Sequence, residues 1–151
     1  MSMPELESPI SCLESWAASR PGDEAVVDPR RTLTFAQLAE RVHAAAAALR
    51  DRGLSPGQVV AVSLANVWEH VVLEIALPLA GAVVMPLPLN LGEAERRWAL
   101  ERSGARLVLL AAGASQVCAA SYRGPFEPAP ADPDRVVEIA LTSGTTGLPK
   151  L

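Results

Sequence analysis

Three short apolar runs, separated by stretches with helical periodicity, constrain the fold of this chain more than any other feature. The runs span residues 59–64, 82–85 and 106–110. Their continuous apolar character, rich in valine and leucine, predicts strands buried on both faces. The order strand–helix–strand–helix–strand is typical of a parallel sheet with right-handed crossovers. We therefore expect an α/β fold in which helices flank a partial parallel sheet.

The residues before this alternation predict a helix, a hairpin and a second helix. Apolar residues at helical spacing predict the first helix over residues 10–19, and residues 24–27 and 32–34 predict the two strands of the hairpin. Thr34 and Gln37 fit a capping box, in which each side chain bonds the backbone N–H of the other residue. This box should open the second helix, which Gly53 should end.

The helices between the predicted buried strands also carry start and stop signals. Asn66 is the predicted N-cap of the next helix, with Glu69 at its third position and an end near Leu77. Pro78 should kink or end that helix because proline has no N–H to donate. A further helix is predicted over residues 93–103. Residues 111–121 are ambiguous between a short helix and a loop.

The last stretch of the chain carries the residues with the clearest chemistry. A strand-like run over residues 136–141 follows a proline-rich, extended connector and leads into hydroxyls, glycines and a lysine: Thr142, Ser143, Gly144, Thr145, Thr146, Gly147, Leu148, Pro149, Lys150. Glycines let the backbone approach an anion, and hydroxyls, N–H groups and a lysine bind phosphate oxygens. The spacing differs from the common P-loop, which needs Gly-Lys-Ser/Thr after four intervening residues.

The string from Thr142 to Lys150 resembles the phosphate loop of the adenylate-forming superfamily, which includes acyl-CoA synthetases, nonribosomal peptide synthetase adenylation domains and luciferases. Residues 33–38, 49–62, 81–87 and 103–109 are also similar to N-terminal segments of these enzymes. The resemblance divides the chain into an α/β layer (1–110), a variable proline-rich connector (111–134) and a strand with its phosphate loop (135–151). Leu151 stands where most members have glycine, as in some members that activate aryl acids.

The resemblance implies a two-step reaction. A carboxylate attacks the α-phosphate of ATP and releases pyrophosphate, and a thiol of CoA or a carrier protein then displaces AMP. The loop implies ATP-phosphate ligands at Thr142, Ser143, Gly144, Thr145, Thr146, Gly147 and Lys150, with Mg²⁺ assisting. No catalytic or metal-binding residue is assigned. The family's other working parts lie further along, so the resemblance implies that residues 1–151 alone are inactive.

Composition excludes several other classes of function. The net charge of −4 and the pI of about 5.2 argue against nucleic-acid binding. The most apolar stretch is interrupted by Glu74 and by three prolines, so no membrane span is expected. Cys12 and Cys118 fit no metal spacing and are expected to be reduced thiols in a cytoplasmic protein.

A non-catalytic reading of the same fold stays open at this point. An incomplete parallel sheet exposes strand edges, and such edges recruit partners. The chain would then be an interaction module that self-associates or pairs with a second polypeptide. The non-functional alternative to a phosphate loop, for the glycine-rich residues at the end of the chain, is an ordinary turn between strands. His70 and the tryptophans Trp16, Trp68 and Trp98 lie in helical patterns, where packing roles are expected.

Overall fold

The computed structural model describes residues 8–121, 126–130, 132 and 134–142. Within these residues the elements in chain order are α1 (Pro9–Ser19), β1 (Glu24–Val27), β2 (Thr32–Thr34), α2 (Phe35–Asp51), β3 (Val59–Val62), α3 (Trp68–Leu79), β4 (Val83–Pro86), α4 (Glu93–Ser103), β5 (Leu107–Leu109) and α5 (Ala111–Cys118). The predicted phosphate loop beyond Thr142 lies outside the described residues.

The three apolar runs form one parallel sheet in the order β4–β3–β5. Val60 of the central strand is opposite Val84 on one side and Leu107 on the other. This arrangement confirms the α/β prediction and the parallel strands. Relative to the prediction, β3 ends two residues earlier, β4 has the same length but is shifted by one residue, and β5 is one residue shorter at each end. The ambiguous stretch after β5 forms the helix α5.

The sheet is covered by helices on both faces. Because successive strand residues point to opposite faces, Val60 and Val62 pack into a core cluster with α2, α3 and α5, whereas Ala61 packs with Met85 and with Ala99 of α4. All five of these residues are almost completely inaccessible to solvent. The continuous apolar character of β3 therefore follows from its burial between two helical layers.

Helix α2 begins at the predicted capping box. The Thr34 N–H donates to Gln37 Oε1 at 3.0 Å, and the Gln37 N–H donates to Thr34 Oγ1 at 3.3 Å. The second half of the helix carries a run of five alanines over residues 44–48, all buried. Small side chains allow close approach between helices, and α2 packs closely against α3.

The start of α3 differs from the prediction. Asn66 is exposed and is not the N-cap; the N-cap is Val67, whose extended backbone makes no side-chain cap. Glu69 is therefore at the second helical position. The Trp68 N–H instead donates to Asp28 Oδ2 at 2.8 Å. A carboxylate from the turn of the β1–β2 hairpin thus replaces the expected local cap.

The end of α3 lies one residue beyond Pro78, so this proline occupies the last turn rather than an interior turn. The connector packs against this end of the helix. The Ala129 N–H donates to the Leu79 carbonyl at 3.0 Å, and Arg135 Nη2 donates to the Pro78 carbonyl at 3.1 Å. These bonds satisfy carbonyls that a helix C-terminus leaves without intrahelical partners. The described part of the proline-rich connector is therefore bound to the domain.

The antiparallel hairpin of β1 and β2 is confirmed. The tryptophans differ in their environments: Trp68 is buried, Trp98 is half-buried against the cluster around Met85, and Trp16 is exposed at one edge. The Trp16 ring contacts Phe35 edge-on at 5.3 Å, and the Arg20 guanidinium lies near both rings. No helix within the described ranges is long and apolar enough to cross a membrane.

The capping box at α2 predicts a measurable loss of stability. Thr34→Ala removes the acceptor for the Gln37 N–H and should lower the free energy of unfolding by about 1 kcal/mol. Denaturant titration measures this change as a shift of the unfolding midpoint, with the dependence of the free energy on denaturant concentration unchanged. Thr32→Ala, at an exposed strand position, is the matched control and should change stability by about 0.5 kcal/mol or less. Equal effects of the two substitutions would contradict the capping role.

Candidate functional site at the carboxyl edge of the sheet

The carboxyl ends of all three parallel strands meet at one edge of the sheet. The segment after the connector joins this arrangement, because the Val84 N–H donates to the Val137 carbonyl and the Ile139 N–H donates to the Val84 carbonyl, both at 2.9 Å. Glu138 and Val84 form a parallel bridge. The segment therefore runs in the same direction as β4.

Thr142 consequently emerges at the carboxyl edge, beside the loop that follows β4. The side chains of Ile139 and Leu141 pack against the cluster around Met85, which orients the segment. Thr142 is exposed and is the one predicted phosphate ligand among the described residues. Ser143, Gly144, Thr145, Thr146, Gly147 and Lys150 lie outside them.

A cleft of about 440 Å³ lies between the carboxyl ends of β3 and β4. Helix α3 follows β3 on one face of the sheet and α4 follows β4 on the other, so the chain leaves these two neighbouring strands on opposite faces and opens a crevice between them. Ligands of open α/β sheets bind in such crevices. The polar side chains that line the cleft are Asn66, His70 and Asn90, and the loop over residues 86–89 forms the opposite wall.

His70 is the titratable side chain of this cleft. Its Nε2 lies 3.1 Å from Glu74 Oε1, one helical turn further along α3. The hydrogen bond with Glu74 raises the pKa of His70 above its ordinary value; burial opposes this shift, and a backbone hydrogen bond with Ala65 adds to it. The carboxylate thus favours the imidazolium form and holds the ring against α3.

A second cavity of about 240 Å³ lies between the ends of β3 and β5. Glu69 is 4% exposed, and its carboxylate accepts hydrogen bonds from Arg30 Nη2 at 2.6 Å and from Ser115 Oγ at 3.2 Å. The hydroxyl of Ser63 also belongs to this region. It is buried and makes no hydrogen bond with any described residue.

Asp28 links the hairpin turn to this second cavity. Its carboxylate accepts hydrogen bonds from three backbone N–H groups: those of Arg30 at 2.7 Å, Arg31 at 2.8 Å and Trp68 at 2.8 Å. The Trp68 bond is the largest cause that lowers the pKa of Asp28, and it outweighs an opposing effect of burial. Arg30 lies between Asp28 and Glu69 and forms ion pairs with both.

This cluster around Glu69 was not predicted from the sequence. Glu69 was predicted to lie at the third position of a helix capped by Asn66, whereas it forms an ion pair with Arg30, 39 positions away. The only local signal was the charged turn of Asp28, Arg30 and Arg31, which predicts a turn but not what it contacts. One sequence pattern could have indicated the cluster. Glu69 is a charged residue in the first turn of a mostly apolar helix, and such a residue needs a partner of opposite charge.

Neither cysteine lines either cavity. Cys118, the last residue of α5, is buried in the core, and burial raises the pKa of its thiol to about 12. This thiol is therefore protonated at neutral pH. Across the part of the chain that the structure describes, no group of three His, Cys, Asp or Glu side chains is placed to hold a metal ion.

Comparison with known proteins gives the class of this chain. The family model described as AMP-binding enzyme matches residues 13–151. The chain therefore belongs to the AMP-binding enzyme family, and its residues correspond to the N-terminal part of adenylate-forming enzymes.

Three relatives illustrate the similarity. The chain is 34% identical over 145 residues to phenyloxazoline synthase MbtB of Mycobacterium sp. (strain MCS), covering 89% of this chain and 12% of that protein. It is 35% identical to a salicylyl-CoA synthase / salicylate adenylyltransferase of Streptomyces sp., covering 93% of this chain and 33% of that protein. The structure of the N-terminal subdomain of Klebsiella oxytoca NpsA in complex with 3-hydroxyanthranilyl-AMSN is 28% identical, with a TM-score of 0.79.

The solved structure also shows the limits of the match. The alignment covers 95% of this chain but 39% of the NpsA chain. The chain thus spans about a third or less of the two curated relatives and about two fifths of this structure.

The contact between His70 and Glu74 predicts a pH-dependent contribution to stability. Because the pKa of His70 is raised in the folded state, its contribution is complete below the unfolded pKa near 6.5 and is lost as pH rises through the folded pKa. His70→Gln should therefore be more destabilising at pH 5.5 than at pH 8.5, as measured by denaturant titration. Glu74→Gln should reduce the same pH dependence; a constant difference between His70→Gln and the parent chain would contradict this assignment.

Proposed function

We propose that these residues provide the leading part of an ATP-dependent ligase that activates a carboxylic acid. The observation that supports this most strongly is the motif from Thr142 to Lys150, which lies inside the region matched by the family model. The segment that leads into it runs parallel to β4, which supports a position for its first residue at the carboxyl edge of the sheet. Acyl-adenylate formation would come first and thioester formation second.

In this proposal the loop binds the outer phosphates of ATP. Thr142, Ser143, Thr145 and Thr146 would donate through hydroxyls, and Gly144 and Gly147 would allow close approach of backbone N–H groups. Lys150 is the only lysine in the sequence, and it would neutralise charge on the phosphates rather than act as a base. Catalysis of this kind depends on positioning and electrostatic stabilisation.

The remaining components of the reaction would come from residues outside this chain. Mg²⁺ would assist by neutralising charge on the phosphates of ATP. The acceptor would be the thiol of CoA or of a carrier protein. The dependence on ATP supports a cytoplasmic location.

We further propose that the activated acid is aromatic. The salicylate adenylyltransferase is 35% identical, and the NpsA structure at 28% identity contains a 3-hydroxyanthranilyl ligand. Leu151 follows Lys150 here, as in some aryl-acid-activating members that the sequence resembles. Each of these similarities concerns a related protein, and together they favour a benzoate-type acid over an aliphatic one.

Lys150→Ala tests the phosphate-binding role in a protein that carries residues 1–151 together with the rest of a family enzyme. Removing one charge-assisted contact should lower carboxylate-dependent ATP–pyrophosphate exchange by about 10- to 150-fold. Arg97→Ala removes the same charge from an exposed position on α4 and should leave the rate unchanged.

Two comparisons make this test decisive. Residues 1–151 alone should give no exchange, since the remaining components of the site are absent, and exchange by this chain alone would contradict that part of the proposal. Exchange that is equal in Lys150→Ala and the parent protein would reject the phosphate-binding role of Lys150. Absence of exchange in the parent protein would favour the alternative function, a non-catalytic module that binds itself or a second polypeptide.

The identity of the acid can be tested with the same exchange assay. Salicylate, 3-hydroxybenzoate and anthranilate should support exchange at least about tenfold faster than L-aspartate or acetate, because a planar aromatic body buries more apolar area than a small aliphatic one. A clear preference for an aliphatic amino acid would reject the aromatic assignment. It would leave the proposed ligase activity intact.

A further inference from the structure

One arginine joins the proline-rich connector to the end of helix α3. Arg135 Nη2 donates to the Pro78 carbonyl at 3.1 Å, and Arg135 Nη1 donates to the Pro130 carbonyl at 3.2 Å. The Nε atom of the same guanidinium is buried, so the head of the side chain is enclosed by protein. The helix dipole also favours a cation at this end of α3. Arg135 therefore holds two separate stretches of backbone with one planar group.

The residue before Pro130 makes a second contact with the same corner of the fold. The Ala129 N–H donates to the Leu79 carbonyl at 3.0 Å. The Ala129 methyl group lies against Gly81, where an added Cβ would come within 3.2 Å of it. Gly81 has a φ of +89° and lies two residues before β4. This part of the connector is thus fixed to the turn from which β4 begins.

The segment that follows Arg135 makes a short ladder with β4. Within the described residues two backbone hydrogen bonds join them, one from the Val84 N–H to the Val137 carbonyl and one from the Ile139 N–H to the Val84 carbonyl. Ile139 packs against the cluster around Met85, whereas Val137 is 43% exposed. Because strand side chains alternate with a period of two, a slip of two residues would put Val137 in the place of Ile139 and keep the apolar pattern. The side chains therefore specify this register weakly.

A slip of this size would displace the start of the predicted phosphate loop. One strand residue advances about 3.3 Å, so a two-residue slip would move Thr142 by about 7 Å along the sheet. A misplacement of about 1 Å can lower a catalysed rate about 100-fold. Arg135 opposes the slip because Pro78 lies in the helix that leads into β4, and because one residue, Val136, separates Arg135 from Val137.

From these contacts we propose that Arg135 is a positioning residue for the phosphate loop. Its two carbonyl contacts set the register of residues 137–141 against β4, and that register places Thr142 and the residues that follow it. Arg135 lies seven residues before Thr142, about 23 Å in an extended chain, so solvent and salt screen its charge from the loop. It therefore acts through the chain and not on the nucleotide. This role rests on the proposed ligase function.

Hydrogen exchange tests the register without an activity assay. In residues 1–151, Arg135→Ala should speed exchange of the Ile139 N–H by at least about tenfold, because the hydrogen bonds of a charged group are lost. The Ser63 N–H, which donates to the Leu109 carbonyl across the sheet, should keep its rate. Unchanged exchange at Ile139 would overturn the proposal. Equal acceleration at Ser63 would also overturn it, since that result shows a general loss of stability.

Carboxylate-dependent ATP–pyrophosphate exchange tests the consequence for the nucleotide. The protein carries residues 1–151 with the rest of a family enzyme, and the acid is whichever of those named above exchanges fastest. Arg135→Ala should raise the KM for ATP at least about fivefold and change the KM for the acid by about twofold or less, because the loop contacts ATP. An unchanged KM for ATP would reject the role of Arg135 and leave the ligase function intact. Absence of exchange in the parent protein would reject the ligase function on which this role rests.

Arg50→Ala is the matched control for both measurements. Arg50, on α2, donates through Nη1 to the Ala80 carbonyl at 3.1 Å, so it also binds a carbonyl at the end of α3. Its loss should leave the exchange rate of the Ile139 N–H and the KM for ATP unchanged. Arg135→Lys keeps the charge but lacks the planar fork that holds two carbonyls, and it should recover part of the loss. Full recovery by lysine, or equal effects of Arg50→Ala and Arg135→Ala, would reject the two-carbonyl anchor.

Discussion

The pairing of β3 with parallel neighbours on both sides is the constraint from which the rest of this structure follows. Its register with β4 and β5 brings the ends of three strands to one edge. Val60, Ala61 and Val62 are completely buried, and full burial of each valine contributes roughly 1.5–3 kcal/mol. A strand slipped by one residue would exchange its two faces. Val60 would then point toward α4, and Ala61 would leave a gap beside α2 and α3. The packing on both faces therefore holds the register that defines the edge.

The hairpin turn fixes the part of that edge next to α3. Asp28 satisfies the first N–H group of α3, and Arg30 neutralises Glu69 in the same turn. Neither contact is local in sequence, and both involve charged groups whose loss would leave a buried partner unsatisfied. Arg30 is itself half-exposed, so solvent screens part of its interaction with Glu69. The contribution of this network is therefore to orient the start of α3 and the walls of the cavity beside it.

The parts of the fold that the sequence predicted correctly depend on local rules. The continuous apolar run identified β3, and the capping pair of Thr34 and Gln37 marked the start of α2. The prediction that Asn66 caps α3 was wrong because the carboxylate of Asp28 accepts the hydrogen bond from the Trp68 N–H. No local sequence pattern indicates a contact across 40 residues. The cavity with Ser63 was missed for the same reason. A serine at the end of an apolar strand gives no indication of whether its hydroxyl has a partner. The phosphate ligands other than Thr142 lie outside the described residues, so that assignment remains a prediction.

The two cavities and the start of the predicted phosphate loop lie at the same edge because parallel topology leaves few other places for polar groups. Both faces of the sheet are covered by helices, so a hydroxyl or carboxylate on a face would be buried without water. At the carboxyl edge, each strand instead passes into a loop whose N–H groups and side chains can meet a ligand. Pairing of Glu138 with Val84 brings one more chain segment to this edge before its glycines begin. A motif rich in hydroxyls would be disfavoured within the strand, where its donors would compete with the ladder. Thr142, the residue with which this composition begins, is exposed.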